Sequence, residues 1–427
     1  MIAHRYRESL TYLYSLQFFG IKLGLENIRE LLSRVGNPQQ SLRIVHIAGT
    51  NGKGSTAAAL ANIFHAANIP AGLYTSPHLH SFTERIRIDT QQIDEAEAVE
   101  LIEELRPHAE VLRATFFEFT TAMALLCFKR RGVQWAILET GLGGRLDATN
   151  IVLSDLCLIT PIALDHTAHL GTELTEVATE KAGIFKAGVT AISAAQDVAV
   201  TPILQQRAAQ LGVPLRQFGE DYHCSGAADT FTVSGPDLFL DKVKSGLSGA
   251  HQQQNLALAA AAASFLAQQG LDIGPDQIRK GLEKVCWPGR LEWLPGRILI
   301  DGAHNPAGAK QLANYLQQRQ LDNLHLVIGC KADKQSDELL AALLPFVGRA
   351  YVTCPPVDEA VPMEKMAQKV RESGIVVDEY ADPVIAVQAA LQNRSAEDTI
   401  LVAGSLFLVA VVREFLLPDV SLLDITS

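Results

Sequence analysis

Basic charge, paired cysteines and long apolar runs are all scarce in this sequence. Lysines and arginines number 36 against 47 aspartates and glutamates, a formal net charge of 36 − 47 = −11, and they form no extended basic run. That balance excludes nucleic acid and anionic membrane as the main partners, and an anionic small substrate would need a local basic site. The six cysteines (Cys127, Cys157, Cys224, Cys286, Cys330 and Cys354) are scattered and include no C-x-x-C pair. Cys127 and Cys157 fall in apolar runs and read as reduced core residues, as in a cytoplasmic protein. No apolar run approaches the ~18 residues of a membrane span. The first residues, MIAHRYRESLTYLYSL, interrupt their apolar pattern with charges, unlike a signal peptide. The expectation is a soluble, cytoplasmic protein with no membrane partner.

What is present is a folded, two-domain composition. The chain has 427 residues, 48% of them hydrophobic and 19% charged, and exceeds the ~250–300 at which a single core stops growing. Apolar strand-like runs alternate with amphipathic stretches, which predicts an α/β fold with mostly parallel sheets. Strands are expected at 44–48, 72–75, 135–139, 155–160 and 190–193, with helices at 94–105, 119–131 and 174–181 between them. Alternating residues over 222–244 predict an antiparallel patch, followed by a helix in HQQQNLALAAAAASFLAQQG and another at 275–284. The stretch CWPGRLEWLPGR, with two Pro-Gly pairs, reads as an inter-domain connection. The expected division is a nucleotide-binding domain over 1–288, a linker over 289–296 and a smaller Rossmann-like domain over 297–427. The second domain carries no G-x-G-x-x-G dinucleotide fingerprint.

The chemistry concentrates in HIAGTNGKGST, residues 46–56. A strand that turns into a helix through glycines presents backbone N–H groups and a positive helix terminus to one point, which suits an oligophosphate. Gly49, Thr50, Asn51, Gly52, Lys53, Gly54 and Ser55 are therefore candidate nucleotide-binding residues, with Lys53 supplying a point charge. The spacing departs from the general G-x-x-x-x-G-K-[ST] loop, because Gly49 and Gly52 are only three apart. Two further strand ends carry acids and an imidazole: Glu139 in WAILETGLGGRLDATN, and Asp165 and His166 in LCLITPIALDHTAHLG. Carboxylates converging on phosphate would suit Mg²⁺.

The motifs GTNGKGS, YTSPHLHSFTERI, LETGLGGRLDATN, DHTAHLG, EKAGIFK and DGAHNP, in this order, resemble the folylpolyglutamate synthase/dihydrofolate synthase family of the ATP-dependent Mur ligase superfamily. That superfamily uses the shortened phosphate loop. The resemblance implies ATP and Mg²⁺, with two ions, and Ser76, Glu139 and His166 as metal ligands. It implies a carbamylated Lys181, a pterin and p-aminobenzoate pocket formed by Thr115, Phe116, Phe117 and Glu118, and a second pocket segment with Leu146, Asp147 and Ala148. It further implies that Asn255 contacts adenine, that Arg290 and Asp301 contact ATP, and that the cleft gripping the nucleotide closes on binding. His304 is a candidate general base. The implied activity is an ATP-dependent ligase, acting as a monomer, that joins L-glutamate to dihydropteroate and to reduced folates through an acyl phosphate. A polyglutamate synthase alone, a cell-wall Mur ligase and a non-catalytic nucleotide switch are the rival readings. The cell-wall enzyme would need additional chain ahead of the phosphate loop.

Overall fold

The computed structural model describes residues 2–20, 24–227, 229–332, 336–357 and 359–417. The chain divides into two compact units, residues 1–246 with 252–285, and residues 247–251 with 286–427. Among the described residues no helix is long and apolar enough to cross a membrane.

The first unit is built on eight strands, in chain order β1 Arg43–Ala48, β2 Ala71–Tyr74, β3 Ile86–Ile88, β4 Gln91–Gln92, β5 Trp135–Glu139, β6 Leu156–Ile159, β7 Ala191–Ser193 and β8 Leu215–Gln217. Across the sheet they run β4-β3-β2-β5-β1-β6-β7-β8. All neighbours from β2 to β8 are parallel, and the β3–β4 hairpin adds antiparallel strands at one edge. β1 lies centrally and is buried from Ile44 to Ala48, so its apolar run lacks alternation, as a strand covered on both faces should. Because β5 and β6 flank β1, the residues that follow these three strands meet at one edge. Register confirms the alignment: Ile47 is opposite Glu139, and Ala48 is opposite Ile159.

Three further strands, β9 His223–Ala227, β10 Thr230–Gly235 and β11 Leu238–Lys244, make the expected antiparallel patch. Two helices differ from expectation. The first runs over Glu95–Leu112 and carries Pro107 inside it, with the Asp94 side chain accepting from Glu97 N–H at its start. The second begins at Phe116 instead of 119, because Thr115 and Glu118 form a capping box.

The second unit holds β12 Glu292–Leu294, β13 Ile298–Ile300, β14 Leu324–Ile328, β15 Val347–Thr353, β16 Val376–Tyr380 and β17 Ile400–Ala403, ordered β12-β13-β17-β14-β15-β16. Only β12 is antiparallel. β12 corrects the reading of 289–296 as a linker: Glu292 pairs with Ile300 and Leu294 with Ile298, so the Pro-Gly pairs flank a short edge strand within the second unit. Its Trp293 Nε1–H donates to the Tyr315 hydroxyl at 2.8 Å.

Candidate active site

The phosphate loop leaves β1 through Gly49, whose φ of +151° and surroundings both demand glycine: a Cβ there would stand 1.8 Å from Thr160 Oγ1. The helix Lys53–Ala66 starts after Gly52 at φ 87°, with no side-chain cap on its first turn. An uncapped N-terminus beside a lysine is an anion site. Lys53 Nζ donates to Thr50 O at 3.2 Å and lies 3.8 Å from Glu139 Oε1. Thr50 and Asn51 also hold the loop itself. Their N–H groups donate to Pro161 O at 3.0 and 3.3 Å. The Thr50 hydroxyl donates to Ala163 O at 2.8 Å and accepts from Ala163 N–H at 3.0 Å. These bonds strap the loop to the chain leaving β6, so the two residues shape the cradle. Asn255 belongs to the same strap-work: its carboxamide lies against Gly52 and donates to Gln252 Oε1 at 2.9 Å.

Glu139 ends β5 only 4% exposed and accepts the Ser76 N–H at 3.2 Å, so the structure brings two of the three expected metal ligands together. The third, His166, sits in the turn after β6 with φ 48°; its N–H donates to Asp165 Oδ1 at 2.8 Å, and its ring lies 3.9 Å from Asp165 Oδ2. Among the described residues no three His, Cys, Asp or Glu side chains form a metal cluster by themselves. Sparse protein ligation beside an anion site is the donor set Mg²⁺ accepts, since it keeps waters and shares phosphate oxygens. The residues therefore fit the ion. The adjacent Thr140 hydroxyl is buried and has no hydrogen-bond partner among the described residues.

Lys181 is 4% exposed, and its amine donates to Gly49 O at 2.7 Å. Burial, and then the charge of Lys53, push its pKa down to about 7, against the opposing pull of Asp165 and Asp147. An ammonium that has lost its hydration and faces another cation gives up its proton readily. The neutral amine so produced is a nucleophile.

Of the expected acceptor-pocket residues, the two acids are both engaged in the fold. Glu118 Oε2 accepts from the N–H and hydroxyl of its cap partner Thr115 at 2.7 and 2.9 Å. Asp147 Oδ2 accepts from Gly141 and Leu142 N–H at 2.9 and 2.8 Å, and Oδ1 from Thr149 N–H and hydroxyl. Burial raises the Asp147 pKa while these bonds oppose the rise. Glu118 and Asp147 thus hold backbone turns at the segments expected to form the acceptor pocket. Leu146 and Ala148 flank Asp147 in the same turn. Phe117 packs against Gly141 and lies 6.0 Å from Tyr74.

Phe116 stacks on Tyr14 at 5.9 Å and 14°, and the Arg85 guanidinium lies 5.1 Å from its centroid. Arg85 Nε donates to His78 Nδ1 at 2.8 Å. Burial and Arg85 together lower the His78 pKa to about 3, so this ring stays neutral and its other nitrogen faces the Tyr14 hydroxyl at 3.4 Å. Sequence reasoning missed Tyr14, His78 and Arg85. His78 and Arg85 lie within YTSPHLHSFTERI, whereas Tyr14, in the N-terminal helix, carries no sequence signal.

In the second unit Asp301 follows β13. Its carboxylate accepts from Leu291 and Ala303 N–H, both at 2.8 Å, and so clamps the two turns that carry Arg290 and His304. Arg290 Nη1 would stand 3.0 Å from a Cβ at Gly302. His304 Nδ1 is 2.9 Å from Gly302 O; a carbonyl only accepts, so Nδ1 carries the hydrogen and Nε2 is the proton-accepting nitrogen. Glu292 accepts from Gly289 N–H at 2.7 Å and pairs with the buried Arg413 at 3.0 and 3.1 Å, fixing the base of the Arg290 turn. His251 also feels both Arg290 and Asp301, and burial lowers its pKa. Neither His251 nor Glu292 carries a sequence signal.

Residues 47–263 match the Mur ligase middle domain, and residues 289–406 match the Mur ligase glutamate ligase domain. A dihydrofolate synthase/folylpolyglutamate synthase of Bacillus subtilis (strain 168) is 30% identical over 96% of this chain and 98% of its own length. The E. coli FolC structure in complex with DHPP and ADP superimposes with a TM-score of 0.88 at 32% identity, covering 95% of this chain and 97% of that one. A bifunctional folylpolyglutamate synthase/dihydrofolate synthase with Mn, AMPPNP and L-glutamate bound gives 0.85 at 31% identity, covering 96% and 98%. A chain with this fold, this phosphate loop and end-to-end similarity belongs to the Mur ligase family, in its dihydrofolate synthase/folylpolyglutamate synthase branch.

Proposed function

We propose that this chain couples ATP cleavage to amide formation, adding L-glutamate to dihydropteroate and to reduced folates. The reading rests on one observation above others: Lys53, Glu139 and Ser76 meet at the uncapped start of the helix that follows the central strand. A carboxylate is a poor acylating agent. Its oxygen attacks the γ-phosphorus, the bond to the bridging oxygen breaks, and ADP departs, leaving an acyl phosphate. The glutamate amine then attacks the acyl carbon and inorganic phosphate leaves.

Lys53 and the N–H groups of the helix start hold the transferring group and offset its charge, the largest catalytic contribution in such transfers. Glu139, Ser76 and His166 are the residues that would hold Mg²⁺, which supplies further charge neutralisation on the phosphates. Thr50 keeps the cradle in shape. Arg290 and Asp301 are the nucleotide contacts of the second unit, and the Nε2 of His304 is a proton acceptor suited to the incoming ammonium.

Lys181 takes up CO₂ in this reading. Its neutral amine forms an N–C bond and releases a proton, giving a carbamate that retains one N–H for the Gly49 carbonyl. A buried cation is thereby exchanged for an anion next to Lys53. The E. coli structure with DHPP and ADP, and the bifunctional relative with AMPPNP and L-glutamate bound, support the substrate assignment. The test is ADP release by purified enzyme with glutamate and each acceptor in turn. Release that requires both glutamate and a pteroate or folate supports the function, and release indifferent to glutamate overturns it.

A further inference from the structure

Arg85 is only 8% exposed, yet among the described residues no carboxylate lies within ion-pair distance of its guanidinium. Its Nε is committed to His78, and one face lies toward Phe116. Both Nη atoms lack a hydrogen-bonded protein partner among the described residues. Two acids are near enough to act on its charge, and both are engaged. Glu84 accepts from Leu79, His80 and Ser81 N–H at 2.9, 2.8 and 2.7 Å, while Glu139 serves Ser76 and Lys53.

A buried charge is normally paired, because an aromatic face offsets only part of its lost hydration. A guanidinium offers a planar fork of donors suited to a carboxylate. We infer that Arg85 binds the non-reacting carboxylate of a glutamate-terminated folate, and that it distinguishes this acceptor from dihydropteroate. The inference rests on the ligase reading above.

The choice of carboxylate follows from the chemistry. The reacting carboxylate must attack phosphorus beside Lys53, and clamping it in a guanidinium fork would weaken it as a nucleophile. Dihydropteroate has no other carboxylate to offer. A folate ending in glutamate has two, one to react and one to hold. Arg85, beyond ion-pair distance of Glu139 but within reach of its field, stands beside the reaction centre without belonging to it.

The test pairs a change in the enzyme with a change in the acceptor. For Arg85→Gln, kcat/KM with tetrahydrofolate should fall about 10²-fold more than with dihydropteroate, mostly through KM, as expected for a desolvated charge pair. Converting the non-reacting carboxylate of the folate to a carboxamide should cost the wild-type enzyme a similar factor and Arg85→Gln almost nothing. Arg85→Lys should recover part of the discrimination. Equal losses with both acceptors, or undiminished discrimination against the carboxamide in Arg85→Gln, would overturn the inference while leaving the ligase reading intact. A wild-type enzyme that extends neither acceptor would overturn both. If Arg85→Gln does not fold, the carboxamide comparison in the wild-type and Arg85→Lys enzymes decides: indifference to the carboxamide overturns the inference, and a penalty reduced by the lysine supports it.

Discussion

Replacing Gly49 by alanine should damage the enzyme more than any other single methyl group added to the phosphate loop's first turn. The new Cβ would meet Thr160 at three atoms, 1.8 Å from Oγ1, 2.9 Å from Cβ and 2.9 Å from the backbone oxygen. Rotating the threonine can clear only the first, so the strand end itself must move. The φ of +151° adds backbone strain that only glycine avoids. Together these cost about 2–5 kcal/mol, which lowers the melting temperature by roughly 5–15 °C for a unit of this size. Displacement would also carry away the carbonyl that accepts from Lys181, so nucleotide binding should fail before unfolding does. Removing the hydroxyl in a Gly49→Ala/Thr160→Ala double variant should recover only part of the loss, because the backbone oxygen remains. Calorimetry and titration with a non-hydrolysable ATP analogue check this. A single variant that melts within about 1 °C of wild type, at most ~0.5 kcal/mol, and binds nucleotide normally would refute the close approach.

Lys53→Ala and Glu139→Ala should each lower ADP formation about 10²–10³-fold with little change in melting temperature; activity within threefold of wild type would remove either residue from the transfer step. Lys181 should carry CO₂, detected by carbon NMR after incubation with labelled bicarbonate, with more label at pH 8 than at pH 6 because the neutral amine forms as pH rises through about 7. The same shift makes the unmodified protein more stable as pH rises from about 7 toward the 10.5 of the unfolded lysine, since only the unfolded chain is then protonated; a stability profile flat across that window counts against the buried amine. Asp147→Asn should destabilise the first unit by about 1–3 kcal/mol in denaturant titrations, because one amide nitrogen would replace an acceptor in a turn built on four donors. An unchanged midpoint would show that the carboxylate does not hold the turn.

The phosphate loop, the parallel sheet and the second α/β unit were legible because each leaves a local pattern: glycines around a lysine, unbroken apolar strands, alternation of strand and helix. Short edge elements were not. β4 has two residues and β12 three, too few to show a period, and β12 was hidden by the Pro-Gly pairs around it. The start of the Phe116–Arg130 helix was written in the T-F-F-E capping box, but motif identity says nothing about the hydrogen bonds of its acid. Asp147 raised the same ambiguity. Arg85 was invisible for the opposite reason: a lone arginine in a sequence reveals neither its burial nor that, among the described residues, no carboxylate reaches ion-pair distance of it, and both are properties of packing.

The central claim is that the acceptor carboxylate is phosphorylated before glutamate attacks. An acceptor labelled with ¹⁸O in its reacting carboxylate, incubated with enzyme, ATP, Mg²⁺ and glutamate, tests it directly. Each amide formed should deliver one labelled oxygen to inorganic phosphate, seen as an isotope shift by phosphorus NMR. Amide formation with unlabelled phosphate would contradict the acyl-phosphate route and the account built on it.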